Sequence, residues 1–392
     1  MSAYSEILSL IREANSLREK EQLLTYLGRS LSVSKKRLLP ADRRELGDFA
    51  VDEMARIPAI LDKAADYREK DAVFGIVDSL MNLVMLCFGG PANVPAEQLE
   101  VLKGSVERCN KERFLENAVD ECLGGKDGLP TAADMERILC MAMPLKDEFH
   151  KSMLWQGLIH YKDRVQRLRA EAKAVLVKYA LSELDRCTAL CAEGTASEDV
   201  YGNLEFISDA ARWLMEDRAI GDEACGELIR RITALFSLER PAVSFFALST
   251  LLAVGADVSD GVIRSLAENI EYADRVYHML KQRGMTSRFP AELQDPVYLA
   301  KSDMVQWLAY PTELGKRPDE IEYLGRTKKK GEIFHIFRYK SDSENLDRDT
   351  RNVWLIGWAG TEGGTFSNFD RYEDYERGTP EKTVKYIRKK IL

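Results

Sequence analysis

Apolar residues recur at helical spacing through roughly the first 310 of the 392 residues, with only short polar breaks between the runs. No other feature constrains the fold as much. Val200, Leu204, Ile207, Ala211 and Leu214 step by three or four, which places them on one face of a helix. Val262, Leu266, Ile270, Ala273, Val276 and Leu280 continue in the same rhythm and predict a helix over 262–280. Longer patterns run over 41–66, 97–123 and 162–192. The breaks carry stop and start signals: GGPANVP at 89–95, GGKDGLP at 124–130, EGTAS at 193–197 and GADVSD at 255–260. Glycine follows the helix ends, and Ser197 and Ser259 stand where N-caps belong.

In the second half the helix centres fall near residues 208, 229, 248 and 270. Alternate helices are therefore about 40 residues apart, the two-helix period of HEAT and armadillo repeats. Such pairs bury their apolar faces only by stacking on neighbours. The expected fold is mainly α: a HEAT/armadillo-like solenoid of helical pairs over 1–310, with a break at 124–130 that would divide it into two sub-arrays.

The period changes after Tyr310. Pro311 disfavours helix there, and PTELGKRPDE follows. Beyond it Ile333, His335, Phe337 and Tyr339 alternate with Phe334, Ile336 and Arg338, and Trp354, Ile356 and Trp358 alternate with Val353, Leu355 and Gly357. Period two marks strands. With a further strand near Glu320 to Arg326, they predict a small antiparallel meander. The end, TPEKTVKYIRKKIL, reads as a helix with Thr379 as N-cap, Pro380 at the first helical position and an apolar stripe of Val384, Ile387 and Ile391. Residues 311–392 are thus expected to form an aromatic-rich α+β module packed on the last helices, with Trp307 and Leu308 as anchors. Between Met304 and Arg377, 12 of 74 residues are Phe, Trp or Tyr, against 9% in the whole chain.

Charge and motifs exclude several chemistries. The 56 basic and 64 acidic residues give a net charge of -8. From Pro318 onward there are 15 basic and 14 acidic residues, so the acidity belongs to the helical part. That argues against a nucleic-acid partner and for a basic protein partner. The most apolar run, Phe74 to Phe88, is 15 residues and contains Asp78 and Asn82. A bilayer span needs about 20, so the run reads as a core helix and no membrane partner is expected. The opening MSAYSEILSLIREANS lacks the pattern of a signal peptide. Seven cysteines, an odd number, form no disulfide framework. A cytoplasmic protein is expected.

Cys187 and Cys191 could share a helix face, but they continue an apolar stripe of Val165, Leu168, Ala172, Leu176, Tyr179 and Leu184 and read as core. HExxH, CxxC, GxSxG and GxxxxGK[ST] are absent from the sequence, so no catalytic residues, no metal and no cofactor are expected. His150, His160, His278 and His335 read as structural or solvated. IGWAGTEGG (356–364) reads as a strand leaving through a turn. Asp370, Glu373, Asp374 and Glu376 lack EF-hand spacing and read as a solvated face.

What remains is the aromatic and acidic concentration near the end of the array. Trp307, Tyr310, Glu313, Trp354, Trp358, Asp370 and Tyr372 are the candidate ligand- or partner-binding residues, since Trp and Tyr dominate binding hot spots. The expected function is a non-catalytic protein–protein interaction scaffold or adaptor using the acidic array. The alternative is an enzyme or small-ligand-binding protein with its site where module and array meet. A HEAT-like DNA glycosylase would share the helical period but needs a basic groove.

Three segments, DMVQWLAYPTELGKRPDEIEYLG (303–325), WLIGWAG (354–360) and GTFSNFDRYEDYERGTPEKT (364–383), together resemble the C-terminal module of bacterial HEAT-like repeat proteins of unassigned function. The resemblance covers 300–392. It implies the solenoid-plus-module architecture and a bacterial cytosol, and it carries no catalytic role.

Overall fold

The computed structural model describes residues 4–33, 38–88, 94–109, 113–124, 128–143, 145–216, 219–329, 331–360 and 364–390. The protein is mainly helical, with a small antiparallel sheet and a terminal helix at its C-terminal end. It divides into two compact units, one of residues 1–235 with 253–255, the other of residues 236–252 with 256–392.

The first unit contains α1 (Ser5–Glu13), α2 (Leu17–Val33), α3 (Pro40–Lys63), α4 (Tyr67–Phe88), α5 (Ala96–Cys109), α6 (Arg113–Gly124), α7 (Ala132–Ala142), α8 (Glu148–His160), α9 (Lys162–Gln166), α10 (Ala170–Ala192), α11 (Glu198–Met215) and α12 (Asp222–Ala234). Its packing is local in sequence. One row runs α2, α4, α6, α8, α11, each helix touching the next; a second runs α3, α5, α7, α10, α12. The rows meet through consecutive helices such as α3 with α4, α6 with α7 and α10 with α11. The stripe read on α11 is the buried one: Val200, Leu204, Ile207, Ala211 and Leu214.

Segment Arg68–Phe88 is long and apolar enough to cross a membrane by length and composition. Val73, Ile76, Val77, Leu80, Leu83 and Val84 on it are nevertheless fully buried among the other helices, as a core helix requires. A single carboxylate ties the first three helices together. Glu53 on α3 is 1% exposed. It accepts from Lys20 of α2 and, at 2.7 Å, from Arg56, with Arg12 of α1 at 4.0 Å.

The second unit contains α13 (Pro241–Ala253), α14 (Asp260–Glu268), α15 (Ala273–Gln282), α16 (Pro296–Leu308), β1 (Glu320–Lys329), β2 (Glu332–Lys340), β3 (Leu355–Gly360) and α17 (Pro380–Lys390). The strands pair antiparallel in the order β1-β2-β3. Alternation sends Phe337, Tyr339, Leu355 and Ala359 to one face, where they pack with Met304 and Leu308 of α16. Ile336, Ile356 and Trp358 go to the other, against Val384 and Ile387 of α17. The sheet is therefore covered on both faces, and its link to the preceding helix is buried core.

Several local readings need correction. The pattern over 262–280 is two helices, α14 and α15, because Asn269 turns the chain: its Oδ1 accepts from Glu271 N at 3.0 Å. The four-residue interruption preserves the phase of the apolar stripe, so periodicity alone does not reveal it. The pattern over 162–192 likewise breaks between α9 and α10. The pattern over 97–123 is α5 and α6, and residues 110–112 between them lie outside the described residues. Ser259 caps α14 with its side chain, but Ser197 makes no such bond on α11. The breaks at 89–95 and 124–130, the end of IGWAGTEGG and Ile391 fall wholly or partly outside the described residues.

Candidate functional site

The seven candidate residues all belong to the second unit, in four settings. Trp307, near the end of α16, packs on the core beneath one sheet face. Trp354, Trp358 and Tyr372 lie with the core of the opposite face. Tyr310 and Glu313 stand in the turn after α16. Tyr310 is 64% exposed, and its carbonyl accepts from Glu313 N and Gly315 N. Burial pushes the Glu313 carboxyl above its usual range. Asp370 accepts from Tyr375 Oη at 2.8 Å. Desolvation, then this bond, raise the Tyr375 phenol to about 12.

Two of these settings are joined. Phe366 wraps the outer side of β3 through the bridge Trp358↔Phe366. Its ring lies 5.4 Å from Trp358 and 6.1 Å from Trp307. The structure also brings Trp354 and Tyr372 together around a residue that the sequence reading passed over, Arg338. Its guanidinium lies 4.4 Å from the Trp354 ring and 5.1 Å from the Tyr372 ring. Its Nε and Nη2 donate to Glu322 at 2.8 and 2.6 Å. Lys340 Nζ sits over Trp354 at 4.4 Å and pairs with Glu320 at 3.4 Å. A planar cation sandwiched by aromatics and fixed by a carboxylate is a satisfied cation–π arrangement. The signal was present in FHIFRYK, where Arg338 shares parity with Phe334 and Ile336. Cavities of about 440 to 770 Å³ indent the described surface, and none of these four is lined by any of the seven residues.

A second constellation lies in the first unit. Glu148 on α8 and Glu183 and Cys187 on α10 place ligand-type atoms within 4.8 Å of one another, as a metal would require. A cation is already there. Arg186 donates to Glu148 at 2.9 and 2.6 Å and to Glu183 at 2.8 to 3.2 Å. Lys151 adds a contact to Glu148 at 3.5 Å. Asn203 Nδ2 of α11 donates to the Glu148 carbonyl and carboxylate at 2.8 and 2.9 Å. Burial disfavours the Arg186 charge, but its bonds to Glu183 and Glu148 keep it above its ordinary pKa. Burial pushes the Cys187 thiol up to about 12, so it is protonated at neutral pH and is not a nucleophile. The arrangement is a charge-compensated cross-link of three helices. Cys187 was legible as core; Glu148 and Asn203, 38 and 17 residues from Arg186, were not.

A third group pairs Asp274 and His278 on α15, Oδ1 to Nε2 at 3.3 Å. This contact holds His278 above its ordinary pKa. Nearby Ser302 Oγ accepts from Asp274 N at 2.9 Å, and Thr365 Oγ1 donates to Asp303. Burial pushes the Asp303 carboxyl up, but Asp303 and His278 are not bonded to each other. His335 on β2 is buried with no partner for Nδ1, and burial lowers its pKa.

Comparison with protein-family models, with curated proteins and with solved structures gives no match.

Proposed function

We propose that the protein is a non-catalytic interaction scaffold whose first unit is a HEAT/armadillo-like array of stacked helical pairs that binds a basic protein partner. One observation carries this reading: two rows of sequence-adjacent helices coincide with all of the chain's net charge. Residues 1–235 hold 32 basic and 40 acidic side chains, residues 236–392 hold 24 of each, and 253–255 carry none. Stacked helical pairs present long continuous surfaces, and a net negative one attracts cationic partners at a distance. The strongest ionic constellations support the same reading, because their charges are occupied with one another. Glu148 and Glu183 hold Arg186, and Arg338 is held by Glu322. The packed contact of α16 with the sheet favours a scaffold over a junction enzyme, which would need a cleft there.

The test is capture by the immobilised full chain at about 50 and 200 mM salt, followed by cross-linking. The expected result is a basic protein retained at the lower salt, weakened at the higher, and cross-linked to residues before Phe236. Retention of no partner at either salt refutes the proposal.

A further inference from the structure

Among the described residues, no strand pairs with the outer edge of β1. β3 is covered on its far side: Ile356 N donates to the Asp370 carbonyl at 3.1 Å and Trp358 N to the Phe366 carbonyl at 3.0 Å. These bonds fix which way each backbone group points. Ile356 and Trp358 face away from β2, so Leu355, Gly357 and Ala359 face it, opposite Tyr339, Phe337 and His335. Backbone alternation then turns Phe334, Ile336, Arg338 and Lys340 of β2 toward β1, where they meet Thr327, Gly325, Glu322 and Glu320. The N–H and C=O groups of Ile321, Tyr323, Arg326 and Lys328 are left pointing outward. None of them has a backbone partner among the described residues. Not one of the ten β1 residues is buried, whereas five of the six in β3 are.

Charge on this edge is one-sided. Glu320 and Glu322 are already paired with Lys340 and Arg338. Arg326, Lys328 and Lys329 have no ion pair among the described residues. The same holds for the five cations of α17, Lys382, Lys385, Arg388, Lys389 and Lys390, all exposed. α17 lies against β1, with Val384 over Gly325 and Leu324. The helix dipole accounts for cations in the last turn of α17, but Lys382 lies in its first turn, where it disfavours a cation. Lysines and the bulge between Tyr323 and Gly325 guard an edge against indiscriminate pairing. The same lysines admit an acidic strand while rejecting a basic one.

We propose that the outer edge of β1 binds an extended acidic peptide segment of another protein, which adds to the sheet as a fourth strand beside the cations of α17. Main-chain bonds to Ile321, Tyr323, Arg326 and Lys328 supply the docking frame; carboxylates on one face of the added strand meet Arg326 and Lys328, and carboxylates on its other face meet the cations of α17. A nucleic acid would use the cations and ignore the edge. A second copy of the chain would use the edge and leave the cations facing cations.

The test uses the full chain and a fluorescent octapeptide of repeating Glu-Glu-Val-Thr, which places carboxylates on both faces of the added strand. Its controls are the Lys counterpart, the same acidic peptide N-methylated at alternate residues, and a single-stranded oligonucleotide. Binding is read by anisotropy, and amide exchange is read over 320–329. The acidic peptide is expected to bind about tenfold or more tighter than either peptide control, and to slow exchange at the four outward amides. Arg326→Glu/Lys328→Glu and, separately, Lys385→Glu/Lys389→Glu are expected to weaken it at least tenfold. These side chains form no ion pair among the described residues, so the fold is expected to be retained. Equal binding of the methylated peptide, or displacement by the oligonucleotide without β1 protection, overturns the proposal in favour of a polyanion surface. Protection of β1 in the free chain, with a mass above 44.5 kDa, overturns it in favour of self-association.

Discussion

Gly357→Ala is expected to unfold the second unit early, because β3 and α16 touch through the space a methyl group would fill. An ideal Cβ at Gly357 would fall inside the van der Waals envelope of Met304 Cε, 3.2 Å from Met304 Sδ and 3.1 Å from the Phe366 carbonyl oxygen. The Phe366 carbonyl is fixed backbone, whereas Met304 Cε is the end of a flexible side chain that must shift within a filled core. Met304 is fully buried among Leu308, Phe337, Tyr339 and Leu355. The Phe366 carbonyl is held by Trp358 N at 3.0 Å, and Phe366 N by the Trp358 carbonyl at 2.9 Å. Overpacking of a filled core costs about 1–3 kcal/mol, and with the Phe366 carbonyl fixed while Met304 can shift only within the core, about 2 kcal/mol is expected. For a unit of roughly 150 residues this lowers the melting temperature by about 5–10 °C. Trp307, Trp354 and Trp358 all surround this sheet, so urea unfolding followed by tryptophan fluorescence reports on it. Met304→Ala alone should cost about 2–5 kcal/mol by leaving a cavity. In the double variant the new methyl occupies part of that cavity, so the two losses should fall short of their sum by about 1 kcal/mol or more. A Gly357→Ala variant within about 0.5 kcal/mol of the parent, or strictly additive losses, would refute this contact.

Glu53→Gln should destabilise the first unit by about 2–4 kcal/mol in urea unfolding, because Lys20 is left charged and mostly buried while Arg12 and Arg56 can rehydrate; a loss below about 1 kcal/mol would show that the three cations find other partners. Burial raises the Cys187 thiol from 9.0 to about 12 and the Cys87 thiol to about 11. Unfolded thiols ionise first as pH rises, so this stability is whole below about pH 9 and is lost as pH climbs toward the folded values. Cys187→Ala should flatten the fall in unfolding free energy between pH 8 and 10.5, and identical slopes in parent and variant would contradict the assignment. Arg338→Lys should cost about 1 kcal/mol despite keeping the charge, since an ammonium cannot stack between Trp354 and Tyr372 while bonding Glu322; wild-type stability would sink that reading.

Elements whose identity rests on one face were legible in the chain. The α11 stripe and the alternation through Phe334–Tyr339 record burial directly, residue by residue, and Thr379–Pro380 marks the start of α17. Elements fixed by pairing were not. Nothing local in Glu148 says that Arg186 and Asn203 will reach it, because the partners come from α10 and α11 and are selected by helix packing. The candidate residues illustrate the same division. Their aromatic type was visible, but which sheet face each would join was not: strand parity sent Trp358 to the α17 side, while Trp307 reaches the opposite face from helix α16.

The edge of β1 carries this furthest. Counted along the sequence, Glu320 and Glu322 offset Arg326 and Lys328, and with Lys329 the strand sums to only +1. In the fold the glutamates face Lys340 and Arg338, and Arg326 and Lys328 after the bulge have no acid opposite them, whereas Lys329 stands opposite Glu332. The bulge does this by inserting Leu324, which changes the parity of every later residue. It places Arg326 and Lys328, rather than Gly325 and Thr327, among the outward-pointing groups. A net charge is a sum over residues, whereas binding depends on which charges remain unpaired after folding. A chain of net charge -8 can therefore hold a cationic edge.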